Sequence, residues 1–515
     1  AEFANWLVGF YAQDEWKVNN QLTVNLGLRL DIPFYPDSPT AAGSGVRNDA
    51  KIGLTNIQIA ALSRQSFEEI FGFDNSETPG GNVIISPRFG FNYAIDPERN
   101  TQVRGGAGVF AGRFPSVWIS NSFSNDGSLL GGVSVRNANA IAAAGGFRSD
   151  PDNQYTAADF GLSEGSAEIN LTDPDFKNPT NFRTNFALDQ SLPGGLVATA
   201  EVIYTKVINA MQWKELNRTP FALNPNTVDG RGLSRDNISD DYQSVILLTN
   251  TDQGYTTNAT VQLQKKIGQG FLPDAFFSLS YTNSTAKDIN SVTSSQARSN
   301  VRDLPVGLDV NEPELTTSDF ELKHRVLATA SYRLAYADRF ATTATLLYDG
   351  RSGNPVSYVY TRGGDPNDDG FDRADLAFIP NDRGQVELYD VDFAVLQELI
   401  GSRDALQDAR GSIFERNSDR GPWQNFLDFS LRQEVRTIAG QRFEISWDVE
   451  NVLSLLGLEA GEIKFIDSTV EIARFNGYTN AGLPILDAIM STDRLIQKSD
   501  FASRWRMQLG VKYIF

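Results

Sequence analysis

The chain has 515 residues, and its 64 acidic residues outnumber its 45 basic residues, which gives a net charge of −19. This sign excludes a nucleic-acid binder held by phosphate contacts, and the absence of cysteine excludes a disulfide scaffold and thiol-ligated metals. No run approaches the roughly eighteen consecutive apolar residues that a membrane-spanning helix needs. A helical membrane protein is therefore excluded.

Apolar and polar residues alternate in several segments of about ten residues, the length that a tilted β-strand needs to cross a bilayer. Residues 22–32 carry leucine, valine or isoleucine at every second position. In residues 6–18, Asp14 interrupts the apolar face, and we interpret this position as a strand end near the water interface. Residues 504–515 alternate most regularly and end the chain on Phe515. These segments predict strands that place one face against lipid.

The alternation predicts about thirteen strands, at roughly 3–18, 22–33, 83–96, 101–113, 181–192, 196–206, 255–268, 275–288, 318–335, 341–351, 424–437, 442–453 and 503–515. Tight turns connect some pairs, at 18–21, 96–100, 192–195, 336–340 and 437–441. Long polar connections, which we interpret as loops, separate other pairs, at 34–81, 114–180, 207–254 and 352–422. Short periplasmic turns alternating with long extracellular loops are typical of outer-membrane barrels.

The fold class predicted is therefore all-β, a transmembrane antiparallel β-barrel formed by residues 1–515 as one domain. Bacterial single-chain barrels have even strand counts, so an odd count indicates the C-terminal strands of a larger barrel, with 22 strands as in plugged transporters. We expect the native protein to be larger than this chain. The alternative is a barrel assembled from two polypeptides.

Several segments are similar to one known family, and their order along the chain is its most specific feature. They include YAQDEWKVNNQLTVNLGLRL, FALDQSLPGGLVATAEVIYTK, LKHRVLATASYRLAY, GRSGNPVSYVYTRGGDPNDDG and WDVENVLSLL. The chain resembles TonB-dependent outer-membrane receptors of the Oar-like group, which carry a carboxypeptidase-regulatory-like domain, a plug and a barrel. The plug and the N-terminal domain are absent from this chain.

The resemblance implies transport of a bulky ligand, such as a peptide, protein, glycan or chelate, through a plug-gated barrel in the bacterial outer membrane. It implies no enzyme activity. The partners implied are the TonB–ExbB–ExbD complex, acting through the plug, together with the barrel-assembly machinery, lipid and lipopolysaccharide, and a surface lipoprotein on the long loops. The C-terminal signal for barrel assembly corresponds to Leu509, Val511, Tyr513 and Phe515. A passive porin-like channel and an adhesive or structural surface protein remain as alternatives.

The segment GGDPNDDGFDRAD has the D-x-N-x-D-G spacing that opens a calcium loop. An EF-hand loop needs a bidentate glutamate at its twelfth position, where this chain has Leu376. The candidate Ca²⁺ ligands are Asp365, Asn367, Asp369, Asp372 and Asp375. The competing interpretation is a solvated loop closed by Asx turns. We predict no other cofactor.

Other motifs favour structural roles. His324 is the only histidine, so it lacks partners for a zinc site or a catalytic relay and is expected in the wall. The glycine-rich segment 105–112 lacks the lysine of a phosphate loop and is expected to be a strand. Motifs of metalloproteases, α/β-hydrolases and P-loop enzymes are absent, and no catalytic residue is predicted.

Charged and aromatic residues leave two questions open. We expect an ion-pair ladder on the lumen face, with plug docking as the alternative, formed by Arg29, Arg88, Arg104, Arg432, Arg436, Arg504, Arg506, Asp428, Glu434, Glu444 and Asp448. Five aromatic residues lie in or beside the long loops, and we expect them either to contact substrate, to form an aromatic girdle or to pack within the loops. They are Trp118, Phe123, Trp213, Tyr255 and Tyr358. Helical spacing in 390–409 predicts a helix that either caps the barrel mouth or packs on neighbouring loops.

Overall fold

The structure is a computed structural model that describes residues 3–51, 54–55, 57–58, 61–96, 98, 100–127, 138–160, 167–268, 274–437 and 441–515. The predicted turns at 96–100 and 437–441 lie partly outside the described residues. None of the helices in the described ranges is long and apolar enough to span a membrane.

Within the described residues, thirteen long strands pair side by side in antiparallel order and form the part of one sheet that we call the wall; strands are numbered along the whole chain. They are β1 (Trp6–Lys17), β2 (Leu22–Phe34), β3 (Ile84–Ala94), β4 (Thr101–Ala111), β6 (Thr180–Leu192), β7 (Leu196–Glu215), β9 (Tyr255–Ile267), β10 (Ala275–Asp288), β12 (His324–Tyr336), β13 (Phe340–Arg351), β19 (Gln424–Arg436), β20 (Arg442–Glu450) and β25 (Arg506–Ile514). Each pairs with the next in chain order, and within the described residues β1 and β25 pair on one side only.

The predicted strands are confirmed, and two of their boundaries differ by more than three residues. Strand β7 continues nine residues past 206, because its last six residues pair with a further strand at 246–251. Strand β12 begins at His324 instead of 318, because the chain first makes a turn in which the Glu321 N–H donates to the Ser318 carbonyl at 3.1 Å.

The register of the wall places apolar residues in continuous rows. Leu431 pairs with Trp447, and Trp447 pairs with Leu509 on the next strand. The neighbouring pair, Arg432 and Ser446, belongs to a polar row on the opposite face. Because side chains alternate between faces along a strand, the wall has one apolar face and one polar face.

The turns at one end of the wall are tight. Gly194 and Gly195 have φ of 78° and 76°, and Ala337 and Asp338 have φ of 50° and 52°. Two consecutive residues with positive φ are the geometry of a type I′ turn, which matches the twist of a hairpin. These turns hold β6 against β7 and β12 against β13 in direct register.

The connections at the other end are folded, so their interpretation as plain loops was incomplete. They carry β5 (Ala167–Thr172), β8 (Tyr242–Thr251), β11 (Thr316–Thr317), β14 (Pro355–Tyr360), β15 (Phe378–Ile379), β16 (Glu387–Leu388), β17 (Ser412–Ile413), β18 (Asp419–Arg420), β21 (Lys464–Phe465), β22 (Thr469–Tyr478), β23 (Pro484–Asp487) and β24 (Gln497–Lys498). We call these connections, together with the last nine residues of β7, the cap, which comprises the described residues of 35–83, 112–179, 207–254, 289–323, 352–423 and 451–505.

The cap also contains short helices: α1 (Phe67–Phe71), α2 (Val117–Ser124), α3 (Ala138–Ala143), α4 (Ala297–Arg302), α5 (Phe393–Gly401), α6 (Asp404–Asp408), α7 (Val452–Leu455) and α8 (Asp500–Ser503). Single 3₁₀ turns span Asn48–Ala50, Ala157–Phe160, Arg383–Gln385, Glu459–Gly461 and Thr492–Arg494 in the cap, and Pro193–Gly195 between β6 and β7. The helix predicted within 390–409 is thus confirmed as α5 and α6.

Hydrophobic clusters explain why the cap folds. The largest joins α5 and α6 to a five-stranded sheet in the order β16-β23-β22-β14-β18, with Leu399 and Ile400 of α5 fully buried beside Val359. A second cluster contains Trp118 and Trp213. The predicted helix therefore packs on neighbouring connections, which is the second of its two expected roles.

Candidate functional site

Ion pairs cross neighbouring strands on the polar face of the wall. The Arg104 guanidinium lies 3.0 Å from the Asp189 carboxylate and 3.4 Å from that of Glu201, which joins β4, β6 and β7. Glu434 lies 3.4 Å from Arg333 and 3.5 Å from Arg442. The side chains are partly exposed, so each exposed pair contributes at most about 1 kcal/mol. This part of the predicted ladder is present.

The other predicted ladder residues divide into two groups. Some have close partners: Arg29 with Asp31 at 2.7 Å, Arg506 with Glu450 at 3.3 Å, Asp448 with the Ser430 hydroxyl at 2.5 Å, Asp428 with the Asn451 N–H at 2.9 Å, and Arg88 over the Phe110 ring at 4.8 Å. Others form no ion pair within the described ranges: Arg432, Arg436, Arg504 and Glu444. Plug docking by this second group stays a prediction.

Four of the five singled-out aromatic residues pack inside the cap. Trp118, Phe123, Trp213 and Tyr358 are buried, and the rings of Trp118 and Trp213 meet edge to face at 5.4 Å. Tyr255 begins β9 in the wall. Buried rings contribute to cap packing, and their contact with a ligand is not supported.

The histidine and the glycine-rich segment lie in the wall, as predicted. His324 begins β12, and its Nδ1 lies 2.8 Å from the Tyr281 hydroxyl. Segment 105–112 falls largely in β4. A Cβ on Gly106 would lie 2.7 Å from the Phe89 carbonyl oxygen of the next strand, so close strand packing explains a glycine there.

A cavity of about 1160 Å³ lies in the cap between three connections. Its charged lining is predominantly acidic, with eight carboxylates against two guanidinium groups: Asp229, Asp309, Glu312, Glu314, Asp404, Asp408, Glu415 and Asp419 against Arg416 and Arg420. Glu314, Asp404, Asp408 and Glu415 are exposed, and they form no ion pair within the part of the chain that the structure describes. The cavity therefore offers negative charge to a ligand.

Buried ion pairs support the cavity lining. The Asp229–Arg231 pair, at 2.7 Å, has both side chains fully buried, and Arg231 Nη1 also donates to the Leu376 carbonyl at 2.9 Å. Asp419 accepts from Arg403 at 2.8 Å and from the Tyr358 hydroxyl at 2.6 Å. Burial raises the pKa of the Asp419 carboxyl, but the hydrogen bonds from Arg403 and Tyr358 outweigh burial and hold that pKa below its usual range.

The candidate calcium loop closes on itself through Asx-type hydrogen bonds. Asp365 accepts from the Asp369 N–H at 3.1 Å and from the Gly370 N–H at 2.9 Å. Asp369 accepts from the Phe371 N–H at 2.8 Å and from Asn367 Nδ2 at 3.0 Å. Asn367 and Asp369 are nonetheless buried, so the loop has the expected Asx turns but is not solvated.

Two of the five candidate ligands differ sharply in environment. Asp372 is exposed, whereas Asp375 is 2% exposed and neither of its carboxylate oxygens accepts a hydrogen bond from the described residues. Burial raises the pKa of Asp369 to about 7, with a further contribution from the charge of Asp365. Burial, with Asp369 and Asp365 nearby, also raises the pKa of Asp375 well above its ordinary value.

Sequence reasoning missed the cavity and the Asp229–Arg231 pair. The cavity lining comes from positions 221–420 in three separate connections, so no local pattern marks it. The sequence offers a signal only for the ion pair, because Arg231 lies two residues from Asp229 in the polar stretch DGRGLSRD.

An antiparallel sheet with one exposed apolar face and one polar face, joined alternately by tight turns and long connections, defines a membrane β-barrel. The chain belongs to the outer membrane beta barrel domain family, whose model matches residues 1–457. Localisation in the outer membrane follows from this family.

Several solved structures align with 99% of the chain, and three are described here. They are the outer membrane transporter YddB from Escherichia coli (12% identity, TM-score 0.44, 54% of that chain covered), the ferric enterobactin receptor PfeA from Pseudomonas aeruginosa (8%, 0.43, 46%) and the FrpB iron transporter from Neisseria meningitidis (9%, 0.41, 46%). The chain spans about half the length of these proteins. No curated protein sequence matches it.

Proposed function

We propose that this chain forms wall strands and the cap of a TonB-dependent transporter for a bulky ligand. The observation that carries the proposal is the combination of a polar-faced wall with a folded cap that contains a large acidic cavity. The cap binds the ligand before transport. Its exposed carboxylates favour a peptide, protein, glycan or chelate that carries positive charge. No catalytic residue is part of this proposal.

Transport requires a closed wall. Within the described residues, β1 and β25 each pair on one side only, and an open strand edge in lipid leaves backbone N–H and C=O groups unpaired at a cost of several kcal/mol each. The proposal therefore includes further strands that close a barrel of 22. It also includes a plug that occupies the lumen and contacts the TonB–ExbB–ExbD complex. Unpaired ladder residues such as Arg432 and Glu444 are the groups on the wall that face this plug.

Assembly and surface partners follow from the two faces of the molecule. Leu509, Val511 and Tyr513 share the exposed apolar face of β25, and Phe515 directly follows the strand and is also exposed. The proposal assigns these four residues to the signal that the barrel-assembly machinery reads, and the apolar face of the wall to lipid and lipopolysaccharide. The cap surface is where a surface lipoprotein would bind.

The proposal is tested with the full-length protein purified from outer membranes in detergent. We expect the periplasmic domain of TonB to be retained by the immobilised protein, and planar bilayers containing the protein to show no steady conductance, because a plug closes the lumen. Steady conductance without TonB binding would identify a passive porin instead. Neither conductance nor TonB binding would identify an adhesive or structural surface protein.

A further inference from the structure

A group of buried oxygen atoms in the cap lacks hydrogen-bond donors. Asn367 is 0% exposed, and its Oδ1 has no partner within the described ranges. Both carboxylate oxygens of Asp375 are also buried and have no hydrogen-bond partner among the described residues. Asn367 Nδ2 donates to Asp369 at 3.0 Å and to the Leu308 carbonyl at 3.0 Å, and the backbone of Asp375 forms a bridge with Val306, two residues before Leu308. These oxygens therefore lie in the same region of the cap.

The nearby arginines bind other groups instead of these carboxylates, although Arg218 forms no ion pair and Arg235 Nη1 makes no hydrogen bond within the described residues. Arg231 pairs with Asp229 at 2.7 Å. Arg235 donates through Nε to the Thr219 carbonyl at 2.9 Å, and Arg218 donates to the Arg235 carbonyl at 3.0 Å. None of the three arginines forms an ion pair with Asp365, Asp369 or Asp375 within the described ranges. Because an unpaired buried carboxylate costs several kcal/mol, a cation bound to these oxygens would stabilise their charged form.

We propose that Asn367, Asp369 and Asp375 bind a Ca²⁺ ion in the cap. Carboxylate and amide oxygens are the hard ligands that Ca²⁺ prefers, and its coordination tolerates irregular geometry. The site combines two carboxylates with the Asn367 amide, and the described part of the chain has no three acidic or histidine side chains placed to hold a metal together. Backbone carbonyl oxygens or water complete the coordination.

The two remaining candidates have other roles. Both oxygens of Asp365 accept backbone N–H groups, so Asp365 is a positioning residue that shapes the loop. Asp372 is exposed and lies outside the site. Of the five candidate Ca²⁺ ligands that the spacing suggests, three are therefore proposed as ligands.

Bound calcium also stabilises the cavity, because the loop contacts other connections. Asn367 Nδ2 donates to the Leu308 carbonyl at 3.0 Å, and the Pro366 carbonyl accepts from the Gly232 N–H at 2.8 Å. Leu308 and Leu376 line the cavity. Loss of the ion would therefore loosen the cavity wall, whether the protein transports a ligand or not.

The test is calorimetric titration of CaCl2 into the full-length protein after chelator treatment and dialysis. We expect one Ca²⁺ per chain, with MgCl2 binding more weakly because Mg²⁺ demands near-ideal octahedral geometry. Asp375→Asn should weaken Ca²⁺ binding by about 100-fold, since affinity follows the number of charged ligands. The matched control, Asp372→Asn, removes the same charge from the same loop and should bind as the wild type does.

Several outcomes would overturn the proposal. One is the absence of binding by the wild type up to about 10 mM CaCl2, which exceeds the dissociation constants of the weakest extracellular calcium modules. Others are equal binding by wild type and Asp375→Asn, or Mg²⁺ binding as tight as Ca²⁺ binding. If Asp375→Asn fails to fold, Asp369→Asn replaces it, and a melting temperature of the wild type that is unchanged by Ca²⁺ would contradict the site.

Discussion

The wall and the cap place their apolar side chains in opposite ways. On β25 of the wall, Leu509 and Val511 are 75% and 76% exposed, whereas Tyr358 and Leu399 in the cap are 0% exposed. The wall depends on lipid to cover its apolar face. The cap buries its own apolar residues as a water-soluble domain does. One chain therefore contains two regions stabilised by different surroundings.

Charged residues show the same contrast. Arg104 and Glu201 of the wall pair at 3.4 Å with side chains 37% and 24% exposed, but Asp229 and Arg231 of the cap pair with both side chains at 0%. Solvent weakens the first kind of pair. Removal of one partner from the second kind leaves a buried charge uncompensated. Equivalent substitutions in the two regions should therefore have unequal effects.

The largest expected effect is that of Asp229→Asn in the cap. It should destabilise the cap by about 3–5 kcal/mol, because Arg231 remains buried without its carboxylate. The wall control, Glu434→Gln, breaks two partly exposed pairs and should cost at most about 2 kcal/mol, or about 1 kcal/mol for each pair. Hydrogen exchange of cap and wall peptides measures both. Equal loss of protection in the two variants would contradict the comparison.

Truncation of one leucine in each region should give the next largest effect. Leu399→Ala should destabilise the cap by about 2–5 kcal/mol, because it loses transfer free energy and leaves a cavity in a packed core. Leu509→Ala should cost less, since lipid or detergent fills the space that the side chain leaves. Urea unfolding in detergent tests this. A larger cost for Leu509→Ala would show that the exposed face of β25 is packed in the native protein.

A backbone contact in the wall provides a third test. Gly106→Ala should cost about 1–3 kcal/mol, because its Cβ would lie 2.7 Å from the Phe89 carbonyl oxygen. The control is Gly90→Ala at the paired position on β3, where the nearest atoms lie 3.8 Å away. Heat-induced loss of folded-barrel mobility on gels should shift for Gly106→Ala alone. The same shift for both variants would contradict the register of β3 and β4.

The smallest expected effect is acid sensitivity of the cap. The folded pKa of Asp419 lies below its unfolded value of about 3.9, so its contribution is present above that pH and is lost as pH falls through the folded pKa. Protonation removes the acceptor for Arg403 and Tyr358. Cap stability, followed by hydrogen exchange between pH 3 and 7, should fall below about pH 4.

Asp419→Asn should reduce the acid-sensitive part of cap stability, whereas Asp408→Asn, which removes an exposed carboxylate, should leave it unchanged. An acid transition of the same size in Asp419→Asn would assign the pH dependence to other groups.

The two regions also differ in what the sequence predicts. The wall strands could be predicted because a sheet between lipid and water must alternate apolar and polar residues, as in 504–515. The cap could not, because its contacts join distant positions: β14 pairs in parallel with β22, and Trp118 donates to the carbonyl of Ser294. Parallel pairing and buried clusters leave no local period.

The candidate cation site could be predicted from the sequence only in part. The D-x-N-x-D spacing identified Asn367 and Asp369 from sequence alone. The burial of Asp375 was not predictable, because it depends on residues such as Val306, whose N–H and carbonyl pair with the backbone beside Asp375. The spacing predicted the loop, and tertiary packing determines which of its carboxylates are enclosed.

The proposed function requires the wall to cross the outer membrane with the cap outside the cell and the tight turns in the periplasm. The chain contains no cysteine, so single-cysteine variants in a background free of other cysteines can report this topology. We predict that a membrane-impermeant maleimide labels Gln407→Cys, in the cap, on intact cells. Arg339→Cys, in a tight turn, should be labelled only after the outer membrane is permeabilised. Labelling of Arg339→Cys but not Gln407→Cys on intact cells would contradict the account.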